Sequence, residues 1–118
     1  MTNNDPLKEL RLGIRQFAEA RDWEQFHSPK NLSMALAVEA SELMEHFQWM
    51  TQEESKNLAQ EKLQRIEEEI ADVQIYLIRL CDRLNVNLLD VASKKLQANS
   101  EKYPADVVKG SAKKYSEY

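Results

Sequence analysis

Two acidic pairs carry the spacing of a chemical site. Glu39 and Glu42 lie three residues apart in EASELMEHFQWM, and Glu69 and Asp72 lie three apart in EEEIADVQIYL. On a helix that interval puts both side chains on one face. Glu39 points almost along the apolar stripe of Leu32, Leu36, Leu43, Phe47 and Met50, with Glu42 at its edge. A carboxylate turned toward a core is costly unless a cation meets it. If the two helices pack antiparallel, four carboxylates converge and repel one another. One or two Mg²⁺ ions remove that repulsion, because hard cations take oxygen ligands and keep waters for a substrate. Tyr76 follows Asp72 by one turn on the same flank. Taken singly, an ExxE or ExxD pair is most often solvated surface. The inward direction of Glu39 and the matching pair on a second helix raise the metal reading above that background.

The elements that must hold these residues are helices. Asp5-Pro6 reads as N-cap and first helical residue of a helix through about Ala20. Ser28-Pro29 opens a second, from Pro29 to about Met50. Thr51 and Glu54 have capping-box spacing and start a short piece. A third long helix covers about Leu58 to Leu84, with Ile66, Ile70, Val73, Leu77, Cys81 and Leu84 in one stripe. Asn87 caps a fourth through about Glu101, with Leu88, Val91, Ala92 and Leu96 as its apolar face, and Pro104 ends it. No strand alternation, repeat or interdomain linker is evident. The fold class is all-α, a bundle on a four-helix core: one domain over residues 1–104, then a flexible tail over 105–118.

Composition narrows the function. The 118 residues suffice for one domain with a sizeable core, and 42% hydrophobic with 31% charged residues predicts a soluble globular protein. A net charge of −4 argues against nucleic acid as the main partner. No apolar run can span a membrane, and MTNNDPLKEL lacks the features of a signal peptide. One cysteine, Cys81, allows no intrachain disulfide, so the expected address is the cytosol; its place on the apolar stripe makes it a core residue. Two glycines, Gly13 and Gly110, exclude a P-loop or a GxGxxG turn.

The segments RDWEQFHSPKNLSMALAVEASELMEHFQW, EEEIADVQIYLIRL and KLQANSEKYP together resemble the all-α nucleoside triphosphate pyrophosphohydrolases of the MazG-like superfamily. Within it, DWEQFH and FQW are most similar to the dCTP pyrophosphatase branch. The resemblance runs from about Leu10 to Pro104. It implies hydrolysis of a nucleoside triphosphate to monophosphate and pyrophosphate with Mg²⁺ held by Glu39, Glu42, Glu69 and Asp72, dCTP or a modified dCTP being favoured, in the service of nucleotide-pool cleaning. The general base stays open among those four and Glu45 or Glu68. The resemblance places Lys95, Asn99 and Lys102 on phosphate oxygens; by composition alone they form a solvated ridge at i, i+4, i+7. It makes Trp23, Phe26, His27 and Trp49 walls of a base pocket, where stacking contributes roughly 1–3 kcal/mol per ring. It sets Tyr76 against the sugar, favouring deoxynucleotides. Alone, these aromatics are more often core or interface residues, and His27 more often structural. The first helix lacks the histidine found in some relatives. The resemblance also implies a dimer or dimer of dimers, a homotetramer, with a pocket shared between subunits.

Two rival classes follow from the residues. A carboxylate-bridged di-iron bundle needs two Glu-x-x-His motifs, and Glu24-x-x-His27 is the only one. A non-catalytic helical interaction module predicts no Mg²⁺ dependence and no stabilisation by nucleotide. A third alternative keeps the fold and changes the ligand to a purine or modified nucleotide.

Overall fold

The structure, a computed structural model, describes residues 5–112 and 115–117. Among the described residues six helices follow in order: α1 (Pro6–Ala20), α2 (Pro29–Glu45), α3 (Gln52–Lys56), α4 (Gln60–Leu84), α5 (Leu88–Lys102) and α6 (Ala105–Val108). Short 3₁₀ turns occupy Glu24–Phe26 and Tyr115–Glu117. No strand occurs among the described residues, so the all-α expectation holds. The chain divides into two compact units, Met1–Asn85 and Val86–Tyr118.

The helix starts follow the capping chemistry. Asp5 accepts from the Lys8 amide at 3.1 Å and Ser28 Oγ from the Asn31 amide at 3.1 Å, each just before a proline that needs no amide partner. Thr51 and Glu54 complete a reciprocal capping box. Asn87 accepts from the Asp90 amide at 3.0 Å. At its far end α4 closes on Asn85 in the left-handed conformation, φ 55°.

One boundary differs from the sequence expectation. α2 stops at Glu45 instead of Met50. A capping residue must be extended, and Thr51 is (ψ 164°), so the preceding turn cannot stay helical. The backbone tightens there into i→i−3 bonds, Phe47 to Met44 and Met50 to Phe47, both at 2.9 Å. In the tail, expected to be flexible from residue 105, Ala105–Val108 forms one helical turn; residues 113, 114 and 118 of that tail lie outside the described residues.

Within the first unit α2 and α4 are antiparallel. His27 just before α2 meets Arg79, Glu39 meets Glu69 and Asp72, and His46 just after α2 meets Lys62, so one sequence number falls as the other rises. Ala18, Leu32, Ile66 and Ile78 are the buried apolar residues. Ile70 and Leu84, expected on the buried stripe of α4, are about half exposed, while Ile78 is buried. The expected stripe recurs every seven residues, which falls about 20° short of two full turns, so the inward face moves to later positions along the helix. That drift also brings Arg79 inside.

Candidate functional site

Glu39 on α2 and Glu69 and Asp72 on α4 gather in one place: each offers a carboxylate oxygen, and these oxygens all lie within 4.8 Å of one another. The i, i+3 interval on α4 puts Glu69 and Asp72 on one flank, and antiparallel packing brings Glu39 opposite. Glu39 and Glu69 are half-buried, and the Oε2 atom of each is buried without a hydrogen-bond partner. Burial, then the close approach of the Glu42 and Glu69 carboxyls, then the charges of Glu42 and Asp72 push the Glu39 carboxyl up to about 7. Glu42 is thus a neighbour of Glu39, outside the tight trio. Buried, unpartnered carboxylate oxygens in an all-oxygen donor set fit a hard divalent cation such as Mg²⁺.

Asp72 also lines a cavity of about 230 Å³ with Ile14, Phe17 and Ala18 of α1, Trp23 and His27 of the connecting turn, and Ile75, Tyr76 and Arg79 of α4. Trp23 and His27, expected at a base pocket, and Tyr76, expected at the sugar, therefore share a wall with a carboxylate of the cluster. Trp23 packs edge-on against Phe17 at 5.6 Å and against the His27 ring at 6.3 Å. Phe26 and Trp49 stand outside it: Phe26 is exposed and Trp49 is 89% exposed on the turn after α2. His46, without an assigned role, lies 2.9 Å from the Lys62 ammonium through Nδ1.

The residue that sequence reasoning missed is Arg79. It is 2% exposed, donates from Nε to His27 Nδ1 at 3.1 Å and from Nη1 to Asp82 Oδ2 at 3.1 Å, and reaches Glu24 Oε1 at 3.5 Å. Asp82 also accepts from Arg15 of α1, 2.9 Å from its Nε. That bond holds the Asp82 carboxyl below its ordinary range and raises Arg15. Burial, then the Arg79 and Arg83 cations, hold His27 below the usual histidine value. The lone Glu-x-x-His motif is thus occupied at both ends by a guanidinium. The available signal was an arginine inside the apolar run IYLIRL, one turn beyond Ile75.

In the second unit, Lys95 and Lys102 are exposed on α5 and Asn99 is half-buried, with the Lys102 ammonium 5.9 Å from the Tyr103 ring centre. Among the described residues no helix is long and apolar enough to cross a membrane.

The model of the MazG-like family matches residues 34–118. The chain belongs to that family. It is 41% identical over 113 residues to dCTP pyrophosphatase 1 of Homo sapiens and, equally, to that of Rattus norvegicus, a match covering 94% of this chain and 66% of each relative. The chain thus spans just under two thirds of those relatives. A crystal structure of a pyrophosphatase from Archaeoglobus fulgidus DSM 4304 superposes with a TM-score of 0.77 at 37% identity, over 88% of this chain and 97% of that one. This MazG-like chain therefore shares its fold with a protein titled a pyrophosphatase.

Proposed function

We propose that this MazG-like protein hydrolyses a deoxynucleoside triphosphate, dCTP or a modified dCTP by preference, to the monophosphate and pyrophosphate, with Mg²⁺. The observation that carries the proposal is the shared wall: Asp72 belongs both to a carboxylate cluster with two unpartnered buried oxygens and to an aromatic cavity large enough for a nucleobase. The relatives named dCTP pyrophosphatase support it.

The division of labour follows from position. Glu39, Glu69 and Asp72, with Glu42 behind Glu39, would hold the cation. Bound there, it supplies positive charge to the triphosphate and makes a nearby water more acidic. Trp23 stacks on the base, His27 meets its edge, and Tyr76, next to Asp72 on the cavity wall, faces the sugar. One of these carboxylates, or Glu45 or Glu68, takes the proton of that water. Lys95, Asn99 and Lys102 are proposed phosphate ligands on the resemblance. We also infer a dimer or dimer of dimers: Met34, Val38, Met44, Trp49, Leu89 and Leu96 are all more than half exposed on the single chain.

The test is pyrophosphate release from canonical and modified dNTPs and NTPs, with Mg²⁺ and with chelator. Mg²⁺-dependent release led by a cytosine deoxynucleotide supports the proposal. No release from any nucleotide by the assembled protein overturns it and favours an interaction module.

A further inference from the structure

Arg79 takes no part in the carboxylate cluster and, although it lines the cavity, it is 2% exposed with its guanidinium nitrogens committed to His27, Asp82 and Glu24. Its bonds nonetheless decide what the cavity offers. A guanidinium Nε–H only donates, so the His27 Nδ1 that faces it at 3.1 Å must accept and carry no proton. A neutral imidazole with a bare Nδ1 has its proton on Nε2. That Nε2 has no hydrogen-bond partner among the described residues, while His27 lines the cavity. The guanidinium cannot turn away, because Asp82 and Glu24 hold its other end, and Asp82 is itself tied to Arg15 on α1. The second cation near the ring, Arg83, donates to the His27 carbonyl at 3.1 Å and so fixes the backbone too. The neutral ring agrees with the lowered histidine pKa.

We propose that Arg79 is a positioning residue for base choice: it fixes His27 as the Nε2–H tautomer, and the donor so presented selects a nucleobase whose Watson–Crick ring nitrogen is an unprotonated acceptor. Among pyrimidines that is cytosine rather than uracil or thymine, whose N3 carries a proton and would meet the Nε2–H donor to donor. The substrate class rests on the nucleotide hydrolysis proposed above; the tautomer does not.

Two measurements separate the two. The first is the ¹⁵N–¹H correlation of the His27 ring in the full-length protein without nucleotide, assigned with His46→Gln. The expected result is a bare Nδ1 and a protonated Nε2, with the proton redistributed between the nitrogens in Arg79→Met. A protonated Nδ1 in the unsubstituted protein, or a tautomer indifferent to Arg79→Met, overturns the proposal whatever the activity. The second is pyrophosphate release from dCTP, dUTP and the deoxynucleotide of 2-pyrimidinone, which keeps an unprotonated N3 and has no amino group. The protein should accept dCTP and the 2-pyrimidinone analogue and discriminate against dUTP. Arg79→Met should raise KM for dCTP by roughly tenfold, the size of one well-placed base contact, with kcat little changed and the dCTP over dUTP preference reduced. Arg79→Lys, which keeps charge and a donor, should recover part of it. Uniform loss on all three nucleotides, or equal use of dUTP and dCTP by the unsubstituted protein, overturns the proposal. A protein with the expected tautomer that cleaves no nucleotide overturns the hydrolase assignment and its substrate class together.

Discussion

Glu39 on α2 and Glu69 on α4 bring carboxylate oxygens within 4.8 Å of each other, and each keeps a buried Oε2 that accepts no hydrogen bond. Two like charges so placed repel, and only a cation or a proton relieves them. The first prediction is therefore a separation of activity from folding. Glu39→Ala or Asp72→Ala should lower Mg²⁺-dependent pyrophosphate release by at least about a hundredfold while the helical circular dichroism is kept, because removing either carboxylate takes a ligand and no core contact. Near-normal turnover in either variant would remove the metal assignment.

Proton and cation compete for the same oxygens. The folded Glu39 carboxyl keeps its proton up to about 7, against an ordinary value of 4.5. Between those values the folded chain binds more protons than the unfolded one, so metal-free stability falls as pH rises through that window. Mg²⁺ should reverse the trend, raising the melting temperature at about pH 8 and doing little at about pH 5. Melting curves in Mg²⁺ and in chelator read this directly. A Mg²⁺ effect of equal size at both pH values would contradict it.

Asp82 joins α1 to α4 by accepting from Arg15 and Arg79, and its side chain is only 8% exposed. Asp82→Asn leaves the buried Arg79 with only the longer Glu24 contact at 3.5 Å for its charge, and should cost at most roughly 3–5 kcal/mol in urea unfolding. Arg15→Met should cost about 1 kcal/mol or less, since Arg15 is itself partly exposed and Arg79 remains. The folded Asp82 carboxyl is held below its ordinary 3.8. Its contribution is therefore fully present above that value and lost as pH falls through the folded one, a dependence that Asp82→Asn should abolish.

Trp23 and Trp49 should behave differently. Trp23 lines the cavity, so Trp23→Ala should raise KM for nucleotide by roughly tenfold, the worth of one stacked base. Trp49 is almost wholly exposed on the single chain, so Trp49→Ala should leave monomer stability within about 0.5 kcal/mol. Sedimentation and turnover as functions of protein concentration would show whether Trp49 acts through assembly.

Much of this was legible in the sequence, for local reasons. Caps are written in adjacent residues, so Asp5, Ser28, Thr51 and Asn87 mark helix starts before any packing is known. The i, i+3 acidic pairs needed only two helices to meet, and their convergence on Glu39, Glu69 and Asp72 follows from antiparallel packing. Arg79 was hidden because a stripe count treats arginine as surface, whereas its burial depends on three partners, Glu24, His27 and Asp82, drawn from two segments some fifty residues apart. The early stop of α2 was hidden because a cap at Thr51 overrides an apolar periodicity that runs on to Met50.

The reversal between α2 and α4, residues 46–59 with α3 inside it, supplies no carboxylate to the cluster and no wall to the aromatic cavity. Because the two long helices run in opposite directions, that bend lies at one end, and His27 and Arg79 at the other, with the acidic trio between. Outside Trp49, its length and sequence are thus free to vary among descendants without displacing the acidic trio or the cavity wall: a natural place for insertions, epitope tags or a fused reporter.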